Sequence, residues 1–184
     1  MTQVCLVGSG DVNLRYELLS RETARNALAT YDLQEPFGNT VAVDTVSLGA
    51  AVALLNDLNW YLVRFADAAF VRDPSISERE WLSRDLAAAI RDDDIGPEDT
   101  GRFLKVYGVV EPDGAGDAAD DATSDAAAEP TSEPGSAGTV EADGPPELVE
   151  PMLLTRTGET IPEYDLRDVD DTLVVRVTES EFGA

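Results

Sequence analysis

Apolar and polar positions switch between a strand period and a helix period along the first 110 residues. Gln3–Gly8 is a short apolar run that predicts a buried strand, and Thr40–Val46 alternates in a way that predicts a second one. Between them, apolar residues recur at helical spacing from Leu14 to Tyr31, and Asp11 stands where a helix N-cap is expected. The pattern therefore predicts a strand, a helix and a strand.

The same two periods continue to residue 110. A wide apolar stripe over residues 48–65 predicts a second helix, and Ser77 with Glu80 forms a capping box that predicts a third. Strands are predicted at Ala68–Arg72 and Arg102–Val110. This βαβαβαβ alternation predicts an α/β fold with a mainly parallel sheet over residues 1–112.

Residues 113–146 do not follow either period. The stretch 111–150 holds 12 acidic residues, no basic residue and no aromatic residue, so we predict a disordered acidic linker at 113–146. Residues 147–184 read as strand, turn and strand, but they are too few for a core of their own. We expect this segment to dock on the first domain. Its apolar strand face would then be buried: Leu173, Val175 and Val177.

The charge of the chain indicates the solvent conditions in which the protein works. There are 37 acidic residues against 12 arginines and a single lysine, Lys105, and the formal net charge is −24. Half of that charge lies in 111–150: the sums are −7 for 1–110, −12 for 111–150 and −5 for 151–184. An acidic, lysine-poor surface is typical of a protein that works in a salt-rich cytoplasm, because salt screens its self-repulsion.

Composition also excludes several kinds of chemistry. The chain has no histidine, which excludes histidine-based triads and histidine metal ligands. Its one cysteine, Cys5, excludes an internal disulfide and is expected to be a buried apolar residue. Polar residues interrupt the apolar stretch 48–66, and no signal-peptide pattern precedes it, so we expect a cytoplasmic chain without a membrane span.

Candidate chemistry lies at the predicted strand ends. The turn Gly8-Ser9-Gly10-Asp11 follows the first strand and could bind an anion through backbone amides, although a third glycine and a Walker lysine are missing. In a parallel sheet, Asp11, Asp44 and Asp73 would lie at one edge and could hold Mg²⁺ with a phosphorylated ligand. The competing interpretation is ordinary turn and helix-cap chemistry in a very acidic chain.

Two further stretches have competing interpretations. Asn56, Asn59, Trp60 and Tyr61 could line a pocket or a partner surface, or could simply belong to a mostly buried helix. On the strand at 102–110, Phe103, Lys105 and Tyr107 share one face. Nucleic-acid binding through Arg102, Lys105 and Tyr107 is one interpretation, but these two cations make no basic patch, and a solvated edge with aromatic packing is favoured.

The stretches Met1–Asn13, Val46–Trp60 and Leu173–Phe182 resemble a family of uncharacterised haloarchaeal proteins with no assigned activity. The resemblance implies a class and a cellular setting but no mechanism. We hypothesise a non-enzymatic binding or adaptor module with a protein partner, and we expect neither nucleic acid nor membrane binding. The alternative is a Mg²⁺-dependent nucleotide- or phosphate-binding domain, and whether it would be an enzyme stays open.

Overall fold

The computed structural model describes residues 1–112, 144–158, 169 and 171–183. Within them the strands are β1 (Thr2–Gly8), β2 (Thr40–Thr45), β3 (Ala66–Arg72), β4 (Trp81–Ser83), β5 (Phe103–Val110), β6 (Glu147–Thr155) and β7 (Asp171–Val177). The helices are α1 (Leu14–Leu19), α2 (Glu22–Leu28), α3 (Leu48–Asp57), α4 (Asn59–Phe65), α5 (Arg84–Arg91) and α6 (Glu179–Phe182). A single 3-10 turn, Pro97–Asp99, precedes β5. Most of the predicted linker, residues 113–143, lies outside the described residues.

All seven strands form one sheet in the order β2-β1-β3-β4-β7-β5-β6. β1 is antiparallel to both β2 and β3, β3 is antiparallel to β4, and β5 is antiparallel to both β6 and β7. Among these strand pairs only β4 and β7 are parallel. The prediction of a mainly parallel βαβαβαβ sheet was therefore wrong: the sheet is mixed and mostly antiparallel.

The connection between β1 and β2 explains the error. The stretch predicted as one helix is divided at Ser20 and Arg21 into α1 and α2, which contact each other. This helical pair returns the chain to the end of the sheet where it left, so that Val7 pairs with Thr40. Alternation of strand and helix in sequence does not reveal whether a connection crosses the sheet once or turns back, and only a single crossing gives parallel strands.

The next connection does cross the sheet. β2 ends at Thr45, opposite Thr2, whereas β3 begins at Ala66, opposite Gly8. Helices α3 and α4 thus carry the chain from one end of β1 to the other. As a result β2 and β3 run in the same direction with β1 between them, which is a split βαβ arrangement.

The third predicted helix also begins later than expected. The Ser77 hydroxyl accepts a hydrogen bond from the Glu80 amide at 3.1 Å, as in a capping box, but the residues that follow form β4. The helix begins at Arg84, where the Ser83 hydroxyl accepts from the Leu86 amide at 3.2 Å. The hydroxyl–amide contact at Ser77 caps a turn, and the buried Trp81 extends the chain into the sheet.

The two faces of the sheet carry two apolar clusters. Along β1, Val4 and Leu6 face the helices α1 to α5, whereas Cys5 and Val7 face the other way. The second cluster joins β1 to β5 and β7, which are not its neighbours in the sheet, so the sheet curves around this face. Cys5 is fully buried as predicted, and burial raises its pKa to about 12. One face is thus covered by helices and the other is concave.

The curvature brings the two edges of the sheet together at one end. β2 and β6 are the outermost strands of the order, yet the Gly38 amide, just before β2, donates a 2.8 Å hydrogen bond to the Pro146 carbonyl, just before β6. The concave face is therefore partly enclosed at this end, which we call the Gly8 end of the sheet because β1 finishes there. The opposite end is the Thr2 end.

The C-terminal segment (residues 144–158, 169 and 171–183) supplies strands to this sheet. β7 lies between β4 and β5, and Val175 is completely buried on the concave side, with Leu173 and Val177 nearly so. Within residues 1–112, β4 and β5 are not paired with each other; β7 joins them. The segment therefore contributes an interior strand.

Ion pairs attach the same segment on the opposite side of the sheet. Glu80 binds both Arg156 and Arg176, and Arg176 also donates to the Thr100 hydroxyl at 2.8 Å. The side chains of this Glu80 cluster are only 12–17% exposed. Gly101, at φ +94°, lets the two arginines lie close, since a Cβ there would come within 3.1–3.3 Å of them. One carboxylate thus holds two cations of the C-terminal segment.

Candidate functional site: a cleft on the concave face

A cleft of about 590 Å³ lies at the Gly8 end of the concave face. Its walls come from the end of β1, the loop before β2, the start of β3, the middle of β5 and the first half of β6. Binding sites for small molecules fall in the range of about 300–1,000 Å³. The cleft therefore has the size of a small-ligand site, and it exists because the curved sheet brings β5 and β6 over β1.

Asn39 shapes one wall of the cleft. Its side chain accepts from the Leu14 amide at 2.9 Å and donates to the carbonyls of Ser9 and Val12 at 3.0 and 2.8 Å. Asn39 adopts a left-handed conformation (φ 52°), and its side chain occupies the space a Cβ on Gly8 would need, at 2.6–2.8 Å. Glycine at position 8 and asparagine at position 39 together set the course of the chain from Gly8 to Leu14.

The predicted anion-binding turn borders the cleft but has few free amides. Gly8 and Gly10 line the cavity. The amides of Gly8 and Ser9 donate to the carbonyls of Asn39 and Phe65, both at 2.9 Å. These two amides are thus engaged within the fold and are not available for an anion.

Asp11 does not cap the first helix. That position belongs to Asn13, whose side chain accepts from the Tyr16 amide at 2.9 Å. Asp11 is exposed in the turn after β1. The prediction of an Asp11 N-cap was wrong, because the chain makes one more turn, held by Asn39, before the helix begins.

The structure does not bring Asp44 and Asp73 to Asp11. Asp44 pairs with Gln3, and Asp73 accepts a 2.6 Å hydrogen bond from the Thr2 hydroxyl, so both lie at the Thr2 end. Asp11 follows Gly8 at the other end of a seven-residue strand. At about 3.3 Å per residue, that is roughly 20 Å of strand. The antiparallel sheet separates these carboxylates, and the described residues contain no group of three or more acidic or cysteine side chains that could hold a metal.

Asp73 has a structural environment of its own. Burial would raise its pKa, but hydrogen bonds from the side chain and backbone of Ser75 and from Thr2 outweigh burial and lower the pKa overall. The carboxylate closes the turn after β3 and ties it to the start of β1. This is the turn chemistry that the sequence offered as the competing interpretation.

Lys105 enters the cleft from β5 without a counter-charge. It forms no salt bridge with any described residue, and its Nζ lies 5.7 Å from the centre of the Tyr107 ring. Glu181, which borders a smaller adjoining cavity with Lys105, instead accepts hydrogen bonds from Ser83 and Thr178 at 2.7–3.0 Å. The ammonium group is therefore free to bind something else.

Tyr107 forms the second polar group of the cleft floor. Its side chain is only 7% exposed and packs on Phe70 with ring centres 5.3 Å apart. Its hydroxyl has no hydrogen-bond partner in the part of the chain that the structure describes. Burial, helped by the charges of Asp67 and Glu181, raises its pKa to about 12. The hydroxyl therefore keeps its proton and remains a donor.

Carboxylates surround the mouth of the cleft. Asp67, at the start of β3, accepts from the Ser9 hydroxyl at 2.8 Å, and Glu147 packs over Gly38. Glu150 is set beside Tyr107 by an irregularity in the β5–β6 pairing, where the register shifts between Val106 and Gly108. All three are exposed. The cleft thus has donors at its floor and negative charge at its rim.

Sequence reasoning found part of this site. It placed Lys105 and Tyr107 on one strand face but favoured a solvated edge, because nothing local showed that β1 and β6 would enclose that face. It missed Asn39, Glu147 and Glu150. The available signal was that Lys105 is the only lysine of the chain.

The fold and the cleft together define a class: a mixed α/β domain with a partly enclosed, mainly antiparallel sheet and a cleft suited to binding. The chain belongs to a family of unknown function (DUF5804), whose model matches residues 2–109. The predicted resemblance to an uncharacterised family is confirmed to that extent. No curated protein and no solved structure matches the chain. The matched range includes Lys105 and Tyr107 but not β6 or β7.

No α-helix among the described residues is long and apolar enough to cross a membrane.

Proposed function

We propose that this protein is a non-enzymatic binding module whose ligand site is the cleft at the Gly8 end of the sheet. The observation that carries the proposal is the unpaired Lys105. In a chain with 37 acidic residues, the only lysine lines this cleft and forms no salt bridge with a described residue. A negatively charged group of a small ligand would supply the missing counter-charge.

Electrostatics favours this assignment over chance. A half-buried ammonium loses part of its hydration, and a hydrogen-bonded partner compensates for the free energy of that loss. Next to it, the hydroxyl of the largely buried Tyr107 also lacks a partner among the described residues. In the open cleft water can hydrate both donors, and a ligand oxygen that accepts from both would replace that water.

The single lysine makes a direct test practical. Reductive methylation with ¹³C-formaldehyde labels only Lys105 and the terminal amine and keeps the charge of the lysine. Titration with acetate, followed by NMR in KCl, should shift the Lys105 signal saturably while the terminal-amine signal follows ionic strength alone. Equal, non-saturating shifts of both signals would contradict the proposal.

A protein partner, as predicted from the sequence, would use a different surface. Trp60 is 49% exposed, and the guanidinium groups of Arg64 and Arg21 lie 3.9 and 5.8 Å from its ring centre. Tyr16 of α1 and Val63 of α4 are also exposed. Tryptophan, tyrosine and arginine dominate interface hot spots. Affinity purification in multimolar KCl with wild type and Trp60→Ala would test it: a partner lost with the variant supports the surface, and an unchanged set of proteins contradicts it.

The Mg²⁺-dependent alternative has less support. It needs Asp11, Asp44 and Asp73 together and free amides at Gly8–Asp11. The first three are divided between the two ends of β1, and two of the amides are engaged. Isothermal titration with MgCl₂ and ADP tests this alternative. Only binding that is lost in Asp11→Asn would support it.

The cellular setting is also part of the proposal. A net charge of −24 with one lysine supports a role in the salt-rich cytoplasm of a haloarchaeon. The melting temperature should then fall as KCl is lowered from about 3 M to 0.1 M, because the Debye length grows from under 3 Å to about 10 Å. A flat or rising curve would contradict this setting.

A further inference from the structure

We infer that the ligand of the cleft is a small zwitterion, with a carboxylate bound at the floor by Lys105 and Tyr107 and a cationic group held at the acidic rim. This inference rests on the proposed function and adds the chemical class of the ligand to it. Each half of the ligand would contact a different set of residues.

The floor is matched to a carboxylate. The Lys105 ammonium carries up to three donors and the Tyr107 hydroxyl carries one, and neither has an acceptor among the described residues. The two side chains share one face of β5 and line the same cavity. A carboxylate offers two acceptor oxygens and one negative charge, so it can accept from both groups while it neutralises the lysine.

The carboxylates at the rim disfavour binding of a more highly charged anion. Asp67, Glu147 and Glu150 place three negative charges around the mouth, against one positive charge at the floor. A phosphate dianion would gain from Lys105 but would be repelled by the carboxylates it passes. A ligand with a positive group at its outer end would gain at both places, since opposite charges at short range favour each other.

The walls between floor and rim suit a short carbon chain. Val7 and Ala68 line the cleft from the sheet, and Leu148, Val149 and Pro151 line it from β6. These side chains are mainly apolar and provide no second charged floor group. They can contact the carbon chain of a ligand that carries a charge at each end.

The two halves of the site come from different parts of the chain. Lys105 and Tyr107 lie inside the range that the family model matches, whereas Glu147 and Glu150 belong to β6, beyond residue 109. Carboxylate binding would thus belong to the family-matched part. Preference for a cationic group would be added largely by the C-terminal segment.

The test compares carboxylates with and without an amine on the full-length, ¹³C-methylated protein. The probes are acetate, butanoate and hexanoate beside glycine, 4-aminobutanoate and 6-aminohexanoate, each titrated at one KCl concentration while the Lys105 signal is followed. We expect at least one amino acid to bind about tenfold more tightly than the carboxylate of equal length. In Glu150→Gln that advantage should shrink severalfold, because the amino acid loses an opposite charge whereas the plain carboxylate loses a repulsion.

Glu78→Gln is the matched control, because it removes the same charge at an exposed position outside the cleft. Its amino-acid preference should equal that of the wild type, and melting curves of all variants should agree. Equal binding of amino acids and plain carboxylates overturns the zwitterion inference and leaves the proposed function standing. Inorganic phosphate binding more tightly than acetate also overturns the inference. Absence of any saturable shift overturns both.

Discussion

The Glu80 cluster and the Lys105 cleft are two half-buried groups of charges in the same protein, and they differ in how their cations are used. In the cluster, one carboxylate binds Arg156 and Arg176, and Thr100 takes up a further arginine donor. In the cleft, Lys105 has no salt-bridge partner among the described residues, and the nearby carboxylates stand at the rim.

The paired charges of the Glu80 cluster have a structural role, whereas the charge of Lys105 is available to a ligand. Cations that connect segments distant in sequence are paired, since an unpaired buried charge would destabilise the contact between those segments. Arg156 and Arg176 join the C-terminal segment to Glu80, 76 and 96 positions away. Lys105 forms no salt bridge with a described residue, and its only charged-group contact among them is with the Tyr107 ring. This contrast is the physical basis of the proposed binding role, and substitutions can test it.

The largest effect should come from Glu80→Ala. Loss of this carboxylate leaves two arginines largely buried without their counter-charge, and we expect the free energy of unfolding to fall by about 3 kcal/mol. Urea unfolding followed by circular dichroism would measure it. Glu78→Ala, at an exposed neighbouring position, should change little. If both variants lose the same amount, the cluster does not hold the C-terminal segment.

Val175→Ala should destabilise somewhat less. This side chain is fully buried where β7 joins β4 to β5, and removal of two methyl groups from such a site costs about 2 kcal/mol. Val46→Ala, at a position 84% exposed, is the control. The melting temperature should drop only for the buried position, and an unchanged melting temperature in Val175→Ala would mean that β7 is not an interior strand.

Gly8→Ala should distort the cleft wall. The added Cβ would meet the Asn39 side chain at 2.6–2.8 Å, so one of the two must move, at a cost of about 1–3 kcal/mol. Gly10→Ala meets nothing within 4 Å and serves as the matched control. Acetate affinity at Lys105 should fall in Gly8→Ala alone. Retained affinity there would show that the turn does not shape the site.

A smaller effect is expected from the Asp73 carboxylate at low pH. Its folded-state pKa lies below the unfolded value, so its contribution is present above about pH 4 and is lost as the pH falls through the folded-state pKa. Asp73→Asn should therefore flatten the loss of stability below pH 4, whereas the exposed Asp32→Asn should not. Identical pH profiles of the two variants would contradict a special role for Asp73.

The smallest effect on stability should be that of Lys105→Met. This variant tests most directly whether Lys105 serves ligand binding rather than stability. Because Lys105 pairs with no described residue, its replacement by a side chain of similar length should change the unfolding free energy by no more than about 0.5 kcal/mol. Isothermal titration should at the same time show loss of carboxylate binding. A strong destabilisation would make Lys105 a structural residue and remove the contrast with the Glu80 cluster.

Much of the local structure could be predicted from the sequence. The strand at Gln3–Gly8, the helical stripe after Ser47 and the buried face of Leu173, Val175 and Val177 follow from side-chain periodicity, because each is decided by residues a few positions apart. The sharing of one strand face by Lys105 and Tyr107 follows in the same way.

Tertiary structure alone decided the strand directions and the site. The turn between α1 and α2 makes β1 and β2 antiparallel, which moves Asp44 and Asp73 to the end of the sheet opposite Asp11. The curvature of the sheet brings Lys105 to Gly8, and the pairing of β5 with β6 adds Glu150. Periodicity reports only which face of an element is apolar. It carries no information on where a connection re-enters the sheet, because that depends on packing between residues far apart in the chain.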